Sequence, residues 1–108
     1  MIRTLILLFA ALAAGSALAD PASVARGRKL AESACARCHA VGAAGDSPNT
    51  YAPPFRTLLV FEPGRSIEEV FSRGLLLGHT GMPQFSMSEQ NYADLLAYLR
   101  SVQTKAAS

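Results

Sequence analysis

Two cysteines and a histidine, close together in the sequence, have the residue types and spacing with the clearest chemistry. Cys35 and Cys38 are the only cysteines of the chain, and His39 follows the second one directly. This C-x-x-C-H spacing is typical of covalent haem attachment, because each thiol can add across one vinyl group of the porphyrin. His39 is then carried under the ring, where its imidazole can bind the iron. The motif therefore predicts three of the four bonds that hold a c-type haem.

The same cysteines allow three other interpretations. A disulfide or a redox-active dithiol uses C-x-x-C spacing, but such motifs are typical of a strand–helix junction in an α/β fold, and the sequence has no parallel-sheet pattern. A zinc site needs four ligands, and outside the motif His79 is the only other histidine or cysteine. The third interpretation is that the motif occurs by chance. We favour haem attachment because the downstream loops also suit a haem protein.

Three side chains downstream could bind the iron from its other side, and they are His79, Met82 and Met87. Met82 is favoured because it lies between Gly81 and Pro83 in an irregular loop, where the backbone can approach a flat ring. Met87 directly precedes a predicted helix and is expected to fill the core. His79 stays the main alternative ligand, and is otherwise expected to be exposed or bonded to a haem propionate. Iron with both axial positions filled suits electron transfer, and a thioether ligand favours Fe(II).

The amino terminus has the pattern of a secretory signal peptide. Arg3 is followed by an apolar run, and the small residues Ala17 and Ala19 occupy the two positions that a signal peptidase reads. The apolar run is shorter than the roughly 20 residues that span a bilayer, which argues against a retained anchor. We therefore predict that residues 1–19 are removed and that residues 20–108 form the mature protein, in the bacterial periplasm.

Size and charge limit what the predicted mature chain can be. Its length is enough for one small domain. A domain of this size buries little apolar surface on folding, so a cofactor, metal or disulfide is expected in its core.

The net charge argues against two kinds of partner. Ten Lys and Arg against eight Asp and Glu give a net charge of +2, which is too weak to indicate nucleic acid or an anionic membrane as partner. The densest basic cluster, Arg26, Arg28 and Lys29, is expected to be a solvated helix face. No membrane span is predicted after the leader.

Apolar residues recur every three or four positions in three segments, which predicts three helices. The first covers residues 20–39, with Asp20 or Ser23 as its N-cap. The second covers residues 66–78, since it begins with an S-x-x-E capping box and ends at a glycine. The third covers residues 88–102 and begins with a serine cap.

The segments between the predicted helices contain helix breakers. Residues 40–54 and 78–87 are interrupted by glycine and proline, so both are predicted to be loops. The first is long enough that a functional role is expected. Residues 55–61 are a short apolar run that fits either a strand or a helical turn. With three helices and two long loops, the chain is predicted to be all-α.

With these motifs, the predicted mature chain resembles the small class I cytochromes c of bacteria over nearly its whole length. Residues 35–39 match the haem-binding motif of that family, residues 78–85 are similar to its methionine loop, and residues 93–102 are similar to its terminal helix. The resemblance implies an all-α cytochrome c fold, with about three main helices and long loops around one covalently bound haem c. It also implies that Met82, followed by Pro83, is the second axial ligand.

The resemblance implies two further contacts. Gly27 would let the first helix cross the last one closely, beside the aromatic residue Tyr98. The proline whose carbonyl accepts a hydrogen bond from His39 maps to Pro53, with Pro54 as the neighbouring alternative. Such a bond would fix which ring nitrogen is left to bind iron.

Other residues are candidates for the walls of a haem pocket. Tyr51 and Arg56 could donate hydrogen bonds to the haem propionates, because a buried carboxylate needs such donors, and surface positions stay open for both. The predicted apolar wall consists of Phe55, Leu58, Leu59, Phe61, Val70, Phe71, Leu75, Phe85, Leu95 and Leu99.

Together these features predict an exported monohaem c-type cytochrome that carries single electrons between redox proteins such as a dehydrogenase, an oxidase or a reductase. Its cofactor-binding residues would be Cys35, Cys38, His39 and Met82, with the last two as iron ligands. Such a carrier docks briefly and weakly and is not an enzyme. Two alternatives stay open: a haem subunit of a dehydrogenase or oxidase complex, or a five-coordinate haem enzyme or sensor if Met82 is not a ligand.

Overall fold

The fold is built from three α-helices joined by long loops. The computed structural model describes residues 20–78 and 81–104, so the leader predicted at residues 1–19 and the alternative ligand His79 lie outside the described residues. The helices are α1 (Pro21–Ala34), α2 (Ile67–Leu77) and α3 (Glu89–Val102), and a 3₁₀ turn covers Phe55–Thr57. No β-strand occurs in the described ranges, and the predicted all-α class is confirmed.

The first helix begins where its sequence predicts and ends earlier. The Asp20 carboxylate accepts a hydrogen bond from the Ala22 amide at 3.1 Å, so Asp20 is the N-cap. The prediction that the helix continues to His39 is wrong, because α1 ends at Ala34. The amides of Cys35 and Ala36 both donate to the Ala31 carbonyl, which breaks the regular i to i−4 ladder, and the rest of the motif forms turns.

The starts of α2 and α3 confirm their predicted serine caps. Ser66 Oγ accepts from the Glu69 amide at 3.2 Å, and Ser88 Oγ accepts from the Asn91 amide at 3.1 Å. Helix α2 ends before Gly78, whose φ of 61° is a left-handed value that favours glycine. The segment after residue 54, which the sequence left open, forms the 3₁₀ turn rather than a strand.

Helices α1 and α3 cross in direct contact at Gly27. A Cβ atom at this position would lie 2.0 Å from the Asp94 backbone oxygen and 2.8 Å from Tyr98 Cβ. The close crossing beside Tyr98 that the resemblance implies is therefore confirmed. The core around this crossing is formed by Ala31, Phe55, Ile67, Phe71, Leu75, Leu95, Leu96, Tyr98 and Leu99.

A buried carboxylate lies at the same crossing. Asp94 is only 1% exposed, and both of its oxygens bind the Arg26 guanidinium, at 2.9 and 3.1 Å. Ser23 Oγ and Gln90 Nε2 also donate to it. The hydrogen bonds from Arg26, and next those from Ser23, lower the pKa of Asp94 from its ordinary 3.8 to about 2, although burial opposes the change. Arg26 is therefore part of the helix interface and not only of a solvated basic face.

Replacing Gly27 by alanine should force the two helices apart. The atom that a Cβ would meet is a backbone oxygen, which cannot rotate away, so we expect a loss of roughly 1–3 kcal/mol in the free energy of unfolding. Denaturant unfolding of the haem-loaded protein measures it. Gly42→Ala is the matched control, because nothing lies within 4 Å of its Cβ position. Equal stability of the two variants would contradict the close crossing.

The Asp94 network should make stability depend on acid pH. The pKa of Asp94 is lower in the folded protein than in the unfolded chain, so the stabilisation is complete above about pH 4 and is lost as the pH falls through about 2. The difference in unfolding free energy between wild type and Asp94→Asn should therefore shrink from pH 5 to pH 2. Denaturant titrations across this range measure the difference.

The control for this prediction is Glu32→Gln, which removes the exposed pair between Arg28 and Glu32. An exposed pair contributes little, so its stability curve should follow that of the wild type. A wild-type to Asp94→Asn difference that stays constant with pH would refute the role of the charged carboxylate.

Candidate functional site

A cavity of about 820 Å³ opens between the loop after α1, the 3₁₀ turn, α2 and the loop before α3. Its size falls in the range of small-molecule and cofactor pockets. Leu59 and Leu95, which were predicted to line it, pack in or against the core instead. The other predicted wall residues do line the cavity: Phe55, Leu58, Phe61, Val70, Phe71, Leu75, Phe85 and Leu99.

The end of α1 brings both cysteines to the cavity wall. The amides of Cys38 and His39 donate to the Cys35 carbonyl at 3.1 and 2.9 Å, which curls the motif into a tight turn. Both thiols are free, half-buried and on the cavity lining. Burial, and then the neighbouring Cys38, raises the pKa of the Cys35 thiol. A reactive dithiol has a thiol with a lowered pKa, and the change at Cys35 is in the opposite direction, which disfavours Cys35 as the reactive thiol of such a pair.

The imidazole of His39 is oriented by a backbone carbonyl. Its Nδ1 lies 2.7 Å from the Pro53 oxygen, which can only accept, so Nδ1 carries the proton and donates. In the neutral imidazole, this bond makes Nε2 the nitrogen without a proton, which is the one available to a metal. The Phe55 ring packs against the imidazole with centroids 5.1 Å apart. The implied bond to Pro53 is confirmed, while the Pro54 carbonyl accepts from Thr57 instead.

The long loop after the motif is folded back on itself by hydrogen bonds. The Phe55 amide donates to the Ala40 carbonyl at 2.9 Å, and the Asn49 amide donates to the Cys38 carbonyl at 3.1 Å. The Tyr98 hydroxyl reaches from α3 to the Val41 carbonyl at 2.6 Å. Because the acceptor of each bond lies in or directly after the motif, and the Phe55 amide is two residues from Pro53, these bonds help to place the Pro53 carbonyl.

Met82 lies on the same cavity as His39 and is half-buried. Its loop is closed by a bond from the Phe85 amide to the Leu75 carbonyl at 3.2 Å. Met87 does not line the cavity and packs against the core, as the core-filling interpretation requires. Of the two methionines, only Met82 is placed to face a group held by the motif.

The two residues predicted to bind propionates lie in different places. Tyr51 lines the cavity and is 94% exposed. Arg56 does not line it, and its guanidinium donates to the Gly45 carbonyl at 2.8 Å, which fits the surface position left open for this residue. Arg37 and Arg73 line the cavity, and neither forms an ion pair with a residue that the structure describes. Sequence reasoning missed them because only the fold brings these two arginines to one cavity.

These donors fit a covalently attached haem. Two thiols for the vinyl groups, one imidazole whose Nδ1 bonds to Pro53 and one thioether line a single, mainly apolar cavity. Within residues 20–78 and 81–104, no group of three or more His, Cys, Asp or Glu side chains could hold a metal ion of another kind.

In the same ranges no helix has the length and apolar character needed to cross a membrane.

Comparison with known proteins agrees with this chemistry. The profile of the cytochrome c family matches residues 24–103. The chain is similar to the cytochrome bc1 complex cytochrome c subunit of Corynebacterium diphtheriae, with 36% identity over 87 residues, which is 76% of this chain and 28% of that protein. The chain thus spans under a third of this relative's length. No solved structure matches significantly.

The cysteines and histidine on one apolar cavity, and a family match that covers both the motif and α3, lead to the same conclusion: the chain belongs to the cytochrome c family and binds haem c covalently.

Proposed function

We propose that this protein is an exported monohaem cytochrome that carries one electron at a time between redox proteins through His39 and Met82 as iron ligands. The observation that carries the proposal is that one cavity holds both cysteines, the imidazole and the Met82 side chain. When haem is bound, it supplies a one-electron Fe(III)/Fe(II) couple. A carrier of this kind transforms no substrate.

The protein residues have separate tasks at this site. Cys35 and Cys38 anchor the porphyrin, and the bond from His39 to Pro53 keeps the imidazole in one orientation. Met82 would hold the iron as the second protein ligand, and oxygen or peroxide would then find no free position on it. A ligand set that stays the same in both oxidation states keeps structural rearrangement small, which suits fast electron transfer.

The mouth of the cavity has the character of a weak docking surface. Tyr51 and Phe61 line the cavity and are 94% and 71% exposed, so large aromatic groups lie at its edge. The net charge of +2 is too small for strong long-range steering. Short apolar encounters at this edge fit a carrier that must dissociate after each electron.

The relative from Corynebacterium favours a second candidate function, that of a subunit in a respiratory complex. That protein is named as a subunit of the cytochrome bc1 complex, and this chain corresponds to less than a third of it. The electron-carrying chemistry is the same in both cases. Stable co-purification with a redox enzyme would favour the subunit, and isolation as a separate protein would favour the free carrier.

Met82→Ala should remove the weak long-wavelength absorption band that a thioether–iron bond gives in the oxidised protein. It should also lower the reduction potential, because a thioether favours Fe(II). Absorption spectra and a redox titration of the haem-loaded protein measure both effects.

Met87→Ala and His79→Ala are the controls for Met82→Ala, and both should keep the band. Loss of the band in His79→Ala but not in Met82→Ala would refute the ligand assignment. Absence of the band in the wild type, with binding of peroxide or a gas, would instead favour the five-coordinate enzyme or sensor.

The intact mass of protein exported by a host that matures c-type cytochromes tests attachment and processing together. We expect a chain that begins at Asp20 and carries one haem, because the leader has the pattern of a cleaved signal peptide and the chain has one C-x-x-C-H motif. The double variant Cys35→Ser/Cys38→Ser should lose the haem stain after denaturing electrophoresis. Ser86→Ala, at an exposed loop position, is the control and should retain it. A stain that survives the double substitution, or a mass that includes the leader, would contradict the proposal.

A further inference from the structure

The side chain of Gln103, the residue after α3, is bonded to three backbone groups. Its Nε2 donates to the Phe55 carbonyl at 2.7 Å and to the Leu99 carbonyl at 2.9 Å, and its Oε1 accepts from the Leu59 amide at 3.3 Å. A glutamine has two N–H donors and one carbonyl oxygen, so every polar group of this side chain bonds to backbone. Gln103 therefore joins the end of α3 to both ends of the 55–59 segment.

A second bond strengthens the same junction. The Thr104 amide donates to the Arg56 carbonyl at 2.7 Å. Residues 103 and 104 together bond to Phe55, Arg56 and Leu59. These bonds hold the 3₁₀ turn and the residues directly after it against the end of α3.

Phe55 connects this junction to the haem ligand. Its carbonyl accepts from Gln103, its amide donates to Ala40, and its ring packs on the imidazole of His39. Pro53, whose carbonyl accepts from His39, is two residues earlier. Because Pro54 alone separates these positions and both Pro53 and Pro54 have a fixed φ, the backbone there is stiff, and a shift of Phe55 is expected to move the Pro53 carbonyl.

We propose that Gln103 is a positioning residue for His39, acting through Phe55 to hold the Pro53 carbonyl on Nδ1. The inference rests on the proposed function, in which His39 is an iron ligand. Its consequence is electronic as well as structural. A strong hydrogen bond from Nδ1 makes the imidazole a better electron donor, which favours Fe(III), so a weakened bond should raise the reduction potential.

The alternative role for Gln103 is that of an ordinary helix cap. Its bond to the Leu99 carbonyl satisfies one of the free carbonyls at the end of α3, and a cap would affect stability alone. A helix cap does not need the further bonds to Phe55 and Leu59. Loss of a cap alone would therefore leave His39 unchanged, whereas loss of a positioning residue would change the hydrogen bond of its imidazole.

Gln103→Met tests the positioning role, because methionine has a similar length but no donor. We expect the His39 Nδ1 proton of the haem-loaded protein to exchange with solvent about tenfold faster, since one net hydrogen bond is of that order. The reduction potential should rise in the same variant. Gln103→Ala should change both quantities in the same direction, which separates loss of the donors from an effect of the new thioether.

Tyr92→Phe is the matched control. It removes the 2.6 Å bond between Tyr92 and Ser72, which links α3 to α2 away from the 53–59 segment. We expect lower stability with an unchanged potential and unchanged exchange of the His39 proton. Equal changes in Tyr92→Phe and Gln103→Met would show a merely structural role and overturn the inference.

The two proposals fail separately. A wild-type protein without the thioether–iron band would overturn ligation by Met82. Unchanged potential and unchanged Nδ1 exchange in Gln103→Met, with the band present in the wild type, would overturn the role of Gln103 alone.

Discussion

The close crossing of α1 and α3 at Gly27 is the constraint on which the rest of the structure depends. Only a residue without Cβ allows the Asp94 backbone to approach α1 so closely. Once the helices are in contact, Asp94 is enclosed, and the Arg26 guanidinium compensates the cost of burying its charge. The crossing also determines the direction of both helix ends: α1 leads into the cysteine motif, and α3 carries Leu99 to the cavity.

The two sides of the cavity are held in different ways. On the His39 side, hydrogen bonds to the Ala40, Pro53 and Phe55 carbonyls connect the motif, the long loop and the end of α3 into one network. On the Met82 side, glycines with positive φ shape the loop, and a backbone bond to Leu75 closes it. Among the described residues, the His39 imidazole is thus held by a hydrogen bond of its own side chain, whereas the Met82 loop is held through its backbone.

Local signals explain what could be predicted from the sequence. The capping serines, the glycine that ends α2 and the helical periods act within a few residues, so they are visible without the fold. The C-x-x-C-H motif is also local, and it predicted the cofactor. Asp94 and Gln103 look like ordinary polar residues of a helix surface, because their partners are far away in sequence: Arg26 is 68 residues from Asp94, and Phe55 is 48 from Gln103. The bond from the Arg56 guanidinium to the Gly45 carbonyl, 11 residues away in the sequence, is likewise visible only in the fold.

The core is divided between a part that the protein completes and a part that the haem completes. Gly27, Asp94 and Tyr98 form the crossing without contributing to the cavity, so their packing needs no cofactor. Phe55, Phe71, Leu75 and Leu99 belong to the core and also line the cavity, so burial of their inner faces depends on a group that fills it. Since a domain of this size has little apolar surface to spare, the porphyrin acts as a structural member of the core. It follows that the packing of the α1–α3 crossing depends less on the haem than the packing of the cavity-lining residues of α2 and the methionine loop.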